Sequence, residues 1–339
     1  MKLTKTAFAA LCTIAVIVCT LIIGIAAGSV FVPPVQILRV FGHKLFGAEL
    51  NGVPDSAVSI IWDIRFPRVM LGFITGAALS VCGAVTQSVL KNPLASPFTL
   101  GVSSGASLGA GLVIIFELSF LGRFTLPFFG LAFGIITMFG MVALASRIDR
   151  SLQGTTIVLT GMVLSLFVNS IVTLLANVAG DKYDRVMKWQ TGSFSGRKQE
   201  YALMLGVVLA ACFVLFLAKS RDMDLLTFGD EQAKSTGLDT GRAKALLLLV
   251  TAVLSGTAVA FSGVIGFIDL ISPHIARRLF GAKHRVLIPM SAALGGVFTV
   301  LCDLAARTVI SPAELPVGVV TSLIGAPFFA WVFFGKRKK

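Results

Sequence analysis

Residues able to do chemistry are sparse in this chain, and most sit in short polar strings between apolar runs. Arg65-Phe-Pro-Arg68 precedes one run and Lys91-Asn-Pro-Leu-Ala-Ser-Pro97 follows it. Ser272-Pro-His-Ile-Ala-Arg277 interrupts another, and Pro312-Ala-Glu-Leu-Pro-Val-Gly318 precedes the last. His43, His274 and His284 stand far apart without metal-ligand spacing, and the five cysteines form no Cys-x-x-Cys pair. No metal site and no disulfide framework is expected from such a pattern. No His-Glu-x-x-His occurs, and no residue is assigned a catalytic role. Gly229-Asp-Glu-Gln-Ala-Lys-Ser-Thr236 looks superficially like a phosphate-binding loop, but Ala233 precedes Lys234 and Phe228 holds the first-glycine position. The backbone cradle of such a loop needs those glycines. The chain is therefore expected to bind no nucleotide or other cofactor; if ATP drives it, another subunit binds the ATP.

Charges inside apolar runs are costly and call for partners. Asp303 and Arg307 are four residues apart and pair on a helix. Asp269 has no local partner, so it is a functional candidate or a group satisfied from elsewhere in the fold. Arg65 and Arg68 flank Pro67 at the mouth of a run. They anchor to head groups, or they meet an acidic partner or an anionic substrate.

The elements that position these residues are membrane helices. The chain has 339 residues, 56% of them hydrophobic and only 13% charged, with a mean hydropathy of +0.91. A spanning helix needs roughly 20 mainly apolar residues. Ten runs qualify: 7–30, 69–90, 100–116, 124–146, 155–178, 201–218, 243–261, 264–280, 286–310 and 316–334. The run 264–280 is short and contains Pro273, as a re-entrant or broken helix would. The fold class expected is all-α and polytopic, one membrane domain over residues 1–339.

A net charge of +13 invites a nucleic-acid reading, but its distribution argues against one. An even number of spans puts both termini on one side, and that side collects 18 of the 29 basic residues. The positive-inside rule places both termini and the 219–242 loop in the cytoplasm. The tail from Gly335 to Lys339 reads as a cytoplasmic stop. Residues 31–64 are expected as an external loop. In 179–200 the spacing of Tyr183, Val186, Met187 and Trp189 predicts a short amphipathic helix at the interface. In 219–242, Leu225, Leu226, Phe228, Ala233 and Leu238 predict a pair of short helices with one apolar face. That pair is a connector resting on its own helices or a docking surface for a cytoplasmic partner. Gly101, Gly105 and Gly109, and likewise Gly72 and Gly76, recur every fourth residue as helix-packing ridges do in lipid.

With these strings in order, the chain resembles the membrane permeases of type II ABC importers for iron-siderophore complexes, haem and vitamin B12. The resemblance runs from about Ile64 to Phe334 and is strongest at 64–111 and 229–330. Arg65-Phe-Pro-Arg68, Asn92-Pro-Leu-Ala95, Gly101-Val-Ser-Ser-Gly-Ala106, Gly263-Val-Ile-Gly-Phe267, Pro273-His-Ile-Ala-Arg277, Asp303-Leu-Ala-Ala-Arg307 and Glu314-Leu-Pro-Val-Gly318 carry it. It implies two permease chains, identical or homologous, around one pathway in the cytoplasmic membrane of a bacterium. Two ATPase subunits dock inside and an extracytoplasmic binding protein docks outside. Arg65, Arg68 and Arg307 match arginines that engage glutamates of that binding protein. Gly229, Asp230, Glu231, Ala233 and Gly237 match the ATPase coupling segment. Asn92 and Leu94 match the cytoplasmic gate, and the turn 152–156 with Thr155 and Thr156 falls near its other half. Asp269 departs from the small or apolar residue usual there; the expectation is that it lines the outer vestibule and tunes substrate or partner choice.

The cargo implied is a ferric siderophore or similar iron chelate, with vitamin B12 or haem as the alternative. The rivals from other classes are an ion-gradient-coupled carrier, with Asp269 and Asp303 binding the ion, and a non-transport receptor or scaffold. The 219–242 loop separates them, because only an ATPase-coupled importer needs Gly229 and Glu231 for uptake.

Overall fold

A computed structural model describes residues 2–28, 30–50, 52–149 and 153–335, with backbone alone at 2–10 and 333–335. In chain order the helices are α1 (Lys2–Ala26), α2 (Pro34–Phe46), α3 (Asp55–Ser59), α4 (Phe66–Val89), α5 (Val102–Phe116), α6 (Thr125–Ile148), α7 (Gly154–Val178) and α8 (Tyr183–Gln190). They continue as α9 (Gln199–Ala218), α10 (Ser220–Phe228), α11 (Asp230–Ser235), α12 (Thr240–Ser262), α13 (Ile268–Phe280), α14 (His284–Thr308) and α15 (Val317–Gly335). No strand occurs among the described residues. Each of the ten apolar runs is a helix: α1, α4 to α7, α9 and α12 to α15. Among the described residues, six helical stretches are long and apolar enough on their own to cross a membrane.

α4 is the central helix. Its spanning stretch is 83% buried, against 22% for α7. It packs on α14, α12, α13 and α9. α14 runs antiparallel to it, and the two backbones meet where a Cβ on Gly76 would lie 2.2 Å from the Gly295 carbonyl oxygen. Van der Waals contact between close backbones is what holds helices together in lipid. The Gly101-Gly105-Gly109 ridge acts the same way on α6: a Cβ on Gly105 or Gly109 would meet the carbonyls of Phe133 and Phe129 at 2.5 and 2.3 Å. Outward faces carry Leu11, Ile14, Phe139, Leu203 and Val207, as contact with hydrocarbon requires.

Three segments refine the sequence reading. Residues 31–64 are not an open loop but α2, α3 and a π-helical stretch Ile60–Arg65. Pro34 starts α2 at a position where a missing N–H costs nothing. Ile37 and Val40 are buried, and Phe41 clusters with Trp62 and Phe66 at ring separations of 5.0 to 5.4 Å. α8 forms as its spacing predicts, with Val186 and Trp189 inward. The 264–280 run is a short helix, α13. Its 13 residues span about 20 Å, well under the roughly 30 Å of bilayer hydrocarbon. The tail residues 336–339 lie outside the described residues.

Candidate functional site

One end of the α4–α14 pair is an ion-paired cluster. Arg68 Nε donates to both Asp303 oxygens at 3.0 and 3.1 Å. One terminal nitrogen donates to both Glu314 oxygens at 2.9 and 3.0 Å, and the other lies 2.9 Å from Asp303 Oδ1. Bidentate geometry of this kind is the strongest that arginine makes with carboxylates. Arg307 reaches Asp303 at 3.5 Å and donates to the Gly24 carbonyl. Arg65 donates to the carbonyls of Ile25 and Ala26 at 2.8 and 2.9 Å, and to Val30. It thereby satisfies carbonyls that the C-terminus of α1 leaves without partners. The i,i+4 pair of Asp303 and Arg307 is present, but the tighter partner of Asp303 is Arg68. All three arginines are buried and turned inward, and Glu314 is the exposed member with 42% of its side chain open.

The opposite end carries α10 and α11, broken apart at Gly229, whose φ of +123° suits only glycine. Met223, Leu226 and Ala233 face the bundle. Phe228, expected on the same apolar face, is 71% exposed instead. Glu231, Gln232 and Lys234 share the exposed side. Asp230 turns inward: its two oxygens lie 2.6 Å from Lys91 Nζ and 2.5 Å from Lys244 Nζ. Lys244 is 2% exposed. Burial pushes the Asp230 carboxyl up, but the ammonium groups of Lys244 and Lys91 outweigh it and hold the carboxyl below its ordinary value of 3.8. A carboxylate depressed in this way contributes stability above its unfolded-state pKa and loses it as pH falls through the lowered one. Uptake should therefore show no pH step from Asp230 between about pH 5 and 8, checked by a pH profile of reconstituted transport.

The last turn of α4 joins these helices to the gate segment. Lys91 N–H donates to the Ser88 carbonyl at 3.3 Å and Asn92 N–H to the Gln87 carbonyl at 3.1 Å, the Schellman arrangement that ends a helix. Its left-handed residue is normally glycine, yet here it is Lys91 at φ +51°. For a residue with a Cβ that conformation costs about 1–2 kcal/mol. Asn92 Oδ1 then accepts from Leu94 N–H at 2.9 Å, fixing the turn that presents Leu94. Gly154, the first residue of α7, sits so close that a Cβ would lie 2.5 Å from the Leu90 carbonyl. The start of α7, which carries Thr155 and Thr156, thus lies against the end of α4, two residues before Asn92; Leu152 lies outside the described residues.

Asp269, expected to line an outer vestibule, is enclosed within the chain. It is 1% exposed and held between α4 and the segment after it. Pro273 has no N–H for the Asp269 carbonyl four residues back. Gln87 Nε2 donates to that carbonyl instead, at 3.1 Å. Ser96 Oγ donates to the Asp269 side chain. Arg277 in turn donates to Gln87 Oε1 and, at 3.3 Å, to the Ala84 carbonyl. Nearby, His284 Nδ1 lies 2.6 Å from Asp224 Oδ1 and Nε2 lies 2.6 Å from Ser88 Oγ. Those are the distances of a serine nucleophile relay. Ser88, however, is buried inside α4 and donates to the Ala84 carbonyl at 2.8 Å, so the three residues form a structural tie between α10, α14 and α4. Gln87, Asp224 and Lys244 escaped the sequence reading, as did the partners of Arg277 and His284. For Lys244, the available signal was a cation in the first turn of an apolar run.

α7 exposes a neutral polar stripe. Asn169, Ser170, Thr173 and Asn177 are all exposed. Ser170, Thr173 and Asn177 donate to the carbonyls four residues back at 2.9 Å each. Toward Gly154 the exposed face becomes apolar, with Leu159, Met162, Val163 and Leu166.

Comparison with known proteins fits this architecture. The FecCD transport family matches residues 15–335. The iron(3+)-hydroxamate import system permease protein FhuG of Bacillus subtilis is 34% identical over 331 residues, covering 94% of each chain. The cobalamin import system permease protein BtuC of Halobacterium salinarum is 38% identical over 283 residues, 83% of this chain and 75% of that one. A solved metal-chelate type ABC transporter in an inward-facing conformation superposes with a TM-score of 0.82 at 29% identity, covering 98% of this chain and 99% of that one. Matched by one family along nearly its whole length, the chain belongs to the FecCD transport family and is a membrane-spanning permease subunit of an ABC importer.

Proposed function

We propose that this permease carries an iron chelate, a ferric siderophore in the first instance, through a pathway built with a second permease chain of the same or homologous sequence. The observation that carries this reading is the exposed stripe on α7. Amides and hydroxyls facing hydrocarbon are costly, whereas on the wall of a water-filled pathway they offer weak, uncharged hydrogen bonds. Such a wall suits a bulky complex whose metal is already wrapped by its own ligands.

The other end-to-end features fit the same scheme. The exposed side of α10 and α11, with Phe228, Glu231 and Lys234, is the surface offered to two ATPase subunits, which bind the ATP. Asn92, Leu94, Thr155 and Thr156 form the gate, and both termini lie in the cytoplasm of a bacterial cell. At the far end, three guanidinium groups face two carboxylates, Asp303 and Glu314. The surplus positive charge attracts acidic side chains of an extracytoplasmic binding protein, with exposed Glu314 yielding Arg68 to them. A gradient-driven carrier is disfavoured because Asp303 is engaged by two arginines.

The test is uptake into proteoliposomes holding the importer with its ATPase and binding protein, offered a ferric hydroxamate, haem and cobalamin in parallel. Saturable ATP-dependent uptake of the ferric hydroxamate alone is expected. Uptake of only haem or cobalamin moves the cargo, and uptake without ATP overturns the importer scheme. A companion measurement replaces Asn169 or Thr173 by cysteine in a background lacking Cys12 and Cys19. Both should react with a charged, membrane-impermeant thiol reagent, and inert thiols would place the stripe against lipid or protein.

A further inference from the structure

We propose that Asp230 is a positioning residue for transport: its carboxylate straps α11 to Lys91, at the turn that sets the gate, and to Lys244 on α12, so that movement of α11 reaches the gate through two charge pairs. The inference rests on the reading of α10 and α11 as the ATPase-facing segment and of Asn92 and Leu94 as gate residues.

Three observations converge on the pairs. Of the two acidic residues in α11's first turn, Asp230 is the one that points away from the exposed side, and its two oxygens are divided between two different elements. An ion pair between exposed side chains contributes little, but Lys244 is almost wholly enclosed, so its pair with this carboxylate is shielded from water. Lys91 fills the one slot of the α4 terminus that favours glycine. Its side chain must do something glycine cannot, and the structure shows it holding Asp230. Asn92 follows directly, so force on Lys91 acts on the residue that orients Leu94. An open cleft of about 280 Å³ lined by Gln87, Ser88, Lys91, Pro93, Thr227 and Arg277 lies beside the pair. Apolar packing is therefore thin at this point of the joint, and the charges bridge it. The tie from Asp224 through His284 to Ser88 fastens α10 to the same last turn of α4, which gives the coupling pair two attachments on one helix end.

The experiment uses the complete importer, with ATPase and binding protein, in proteoliposomes. ATP hydrolysis and uptake are measured together for whichever of ferric hydroxamate, haem or cobalamin the wild type accumulates. Lys91→Gly relaxes the left-handed backbone and cuts one arm. Lys91→Asn tolerates the same backbone, is equally unable to reach Asp230, and controls for glycine's flexibility. Lys91→Arg keeps the cation. Gly and Asn variants should retain the ATPase and its hydrolysis while uptake per ATP falls about tenfold, inside the usual range of coupling between sites; the Arg variant should stay near wild type. An unchanged uptake-to-ATP ratio in Gly and Asn, or an equal fall in Arg, overturns the strap. Loss of the ATPase from Gly and Asn would make Lys91 a docking residue and overturn it as well. A wild-type importer with no ATP-dependent uptake defeats the underlying scheme instead, and the strap with it.

Discussion

Arg68→Ala is expected to destabilise the folded permease by about 3–5 kcal/mol, the cost of leaving one partner of a buried ion pair unanswered. Asp303 has only 2% of its side chain exposed. Without Arg68 it keeps Arg307 at 3.5 Å, too distant for a good hydrogen bond. Glu314 can turn to water, so the damage concentrates on Asp303. Arg68→Lys should recover only part of the loss, because one ammonium cannot make two bidentate contacts. Replacing both members, as in Arg68→Met with Asp303→Leu, should recover less than Lys does, because it takes the carboxylate partner from buried Arg307. Thermal unfolding midpoints in one detergent check this order: wild type, Arg68→Lys, then the double variant and Arg68→Ala. An Arg68→Ala chain with a wild-type midpoint would refute it.

The second large effect belongs to Gly83→Ala. A Cβ there would lie 1.8 Å from the Asp269 carbonyl oxygen, 2.6 Å from its carbon and 2.8 Å from its Cα. All three are backbone atoms, so no side chain can rotate out of the way. α13 must move off α4, and the Gln87 bond to the Asp269 carbonyl goes with it. Overpacking typically costs about 1–3 kcal/mol, occasionally more, and this contact should reach the upper end. Gly111→Ala is the control, because nothing lies within 4 Å of the added carbon. A helical glycine replaced in open space should gain up to about 1 kcal/mol. The two methyl groups should therefore move the unfolding midpoint in opposite directions, and equal shifts would contradict the packing described.

Much of the architecture was legible in the sequence because hydrophobicity and short-range spacing are local properties. Ten apolar runs are ten helices, Val186 and Trp189 mark α8, and the glycines at 105 and 109 are where α5 meets α6. The pair of short helices in 219–242 was likewise readable from its apolar spacing. Most of the polar wiring was not, because its partners are far apart along the chain. Arg68 and Asp303 are separated by 235 residues, Ser88 and His284 by 196, and Gln87 and Arg277 by 190. Periodicity carries no information at that range. Asp269 was conspicuous as a carboxylate in an apolar run, but its place beside Ser96 depends on how α13 starts, which a run of apolar letters does not reveal. α2 was hidden for a related reason: only Ile37 and Val40 are buried in it, while Val35, Leu38 and Phe46 point outward.

The carbonyl that Pro273 leaves open also bears on how the chain is made. Alone in a bilayer, α13 would be too short to cross, would carry Arg277 and would hold an unanswered backbone oxygen. Gln87 and Gly83, the residues that admit and bond that oxygen, are synthesised well before it. α13 is thus a dependent segment: during membrane insertion it waits for a seat that α4 has already taken up, and it enters the lipid as a companion of earlier helices.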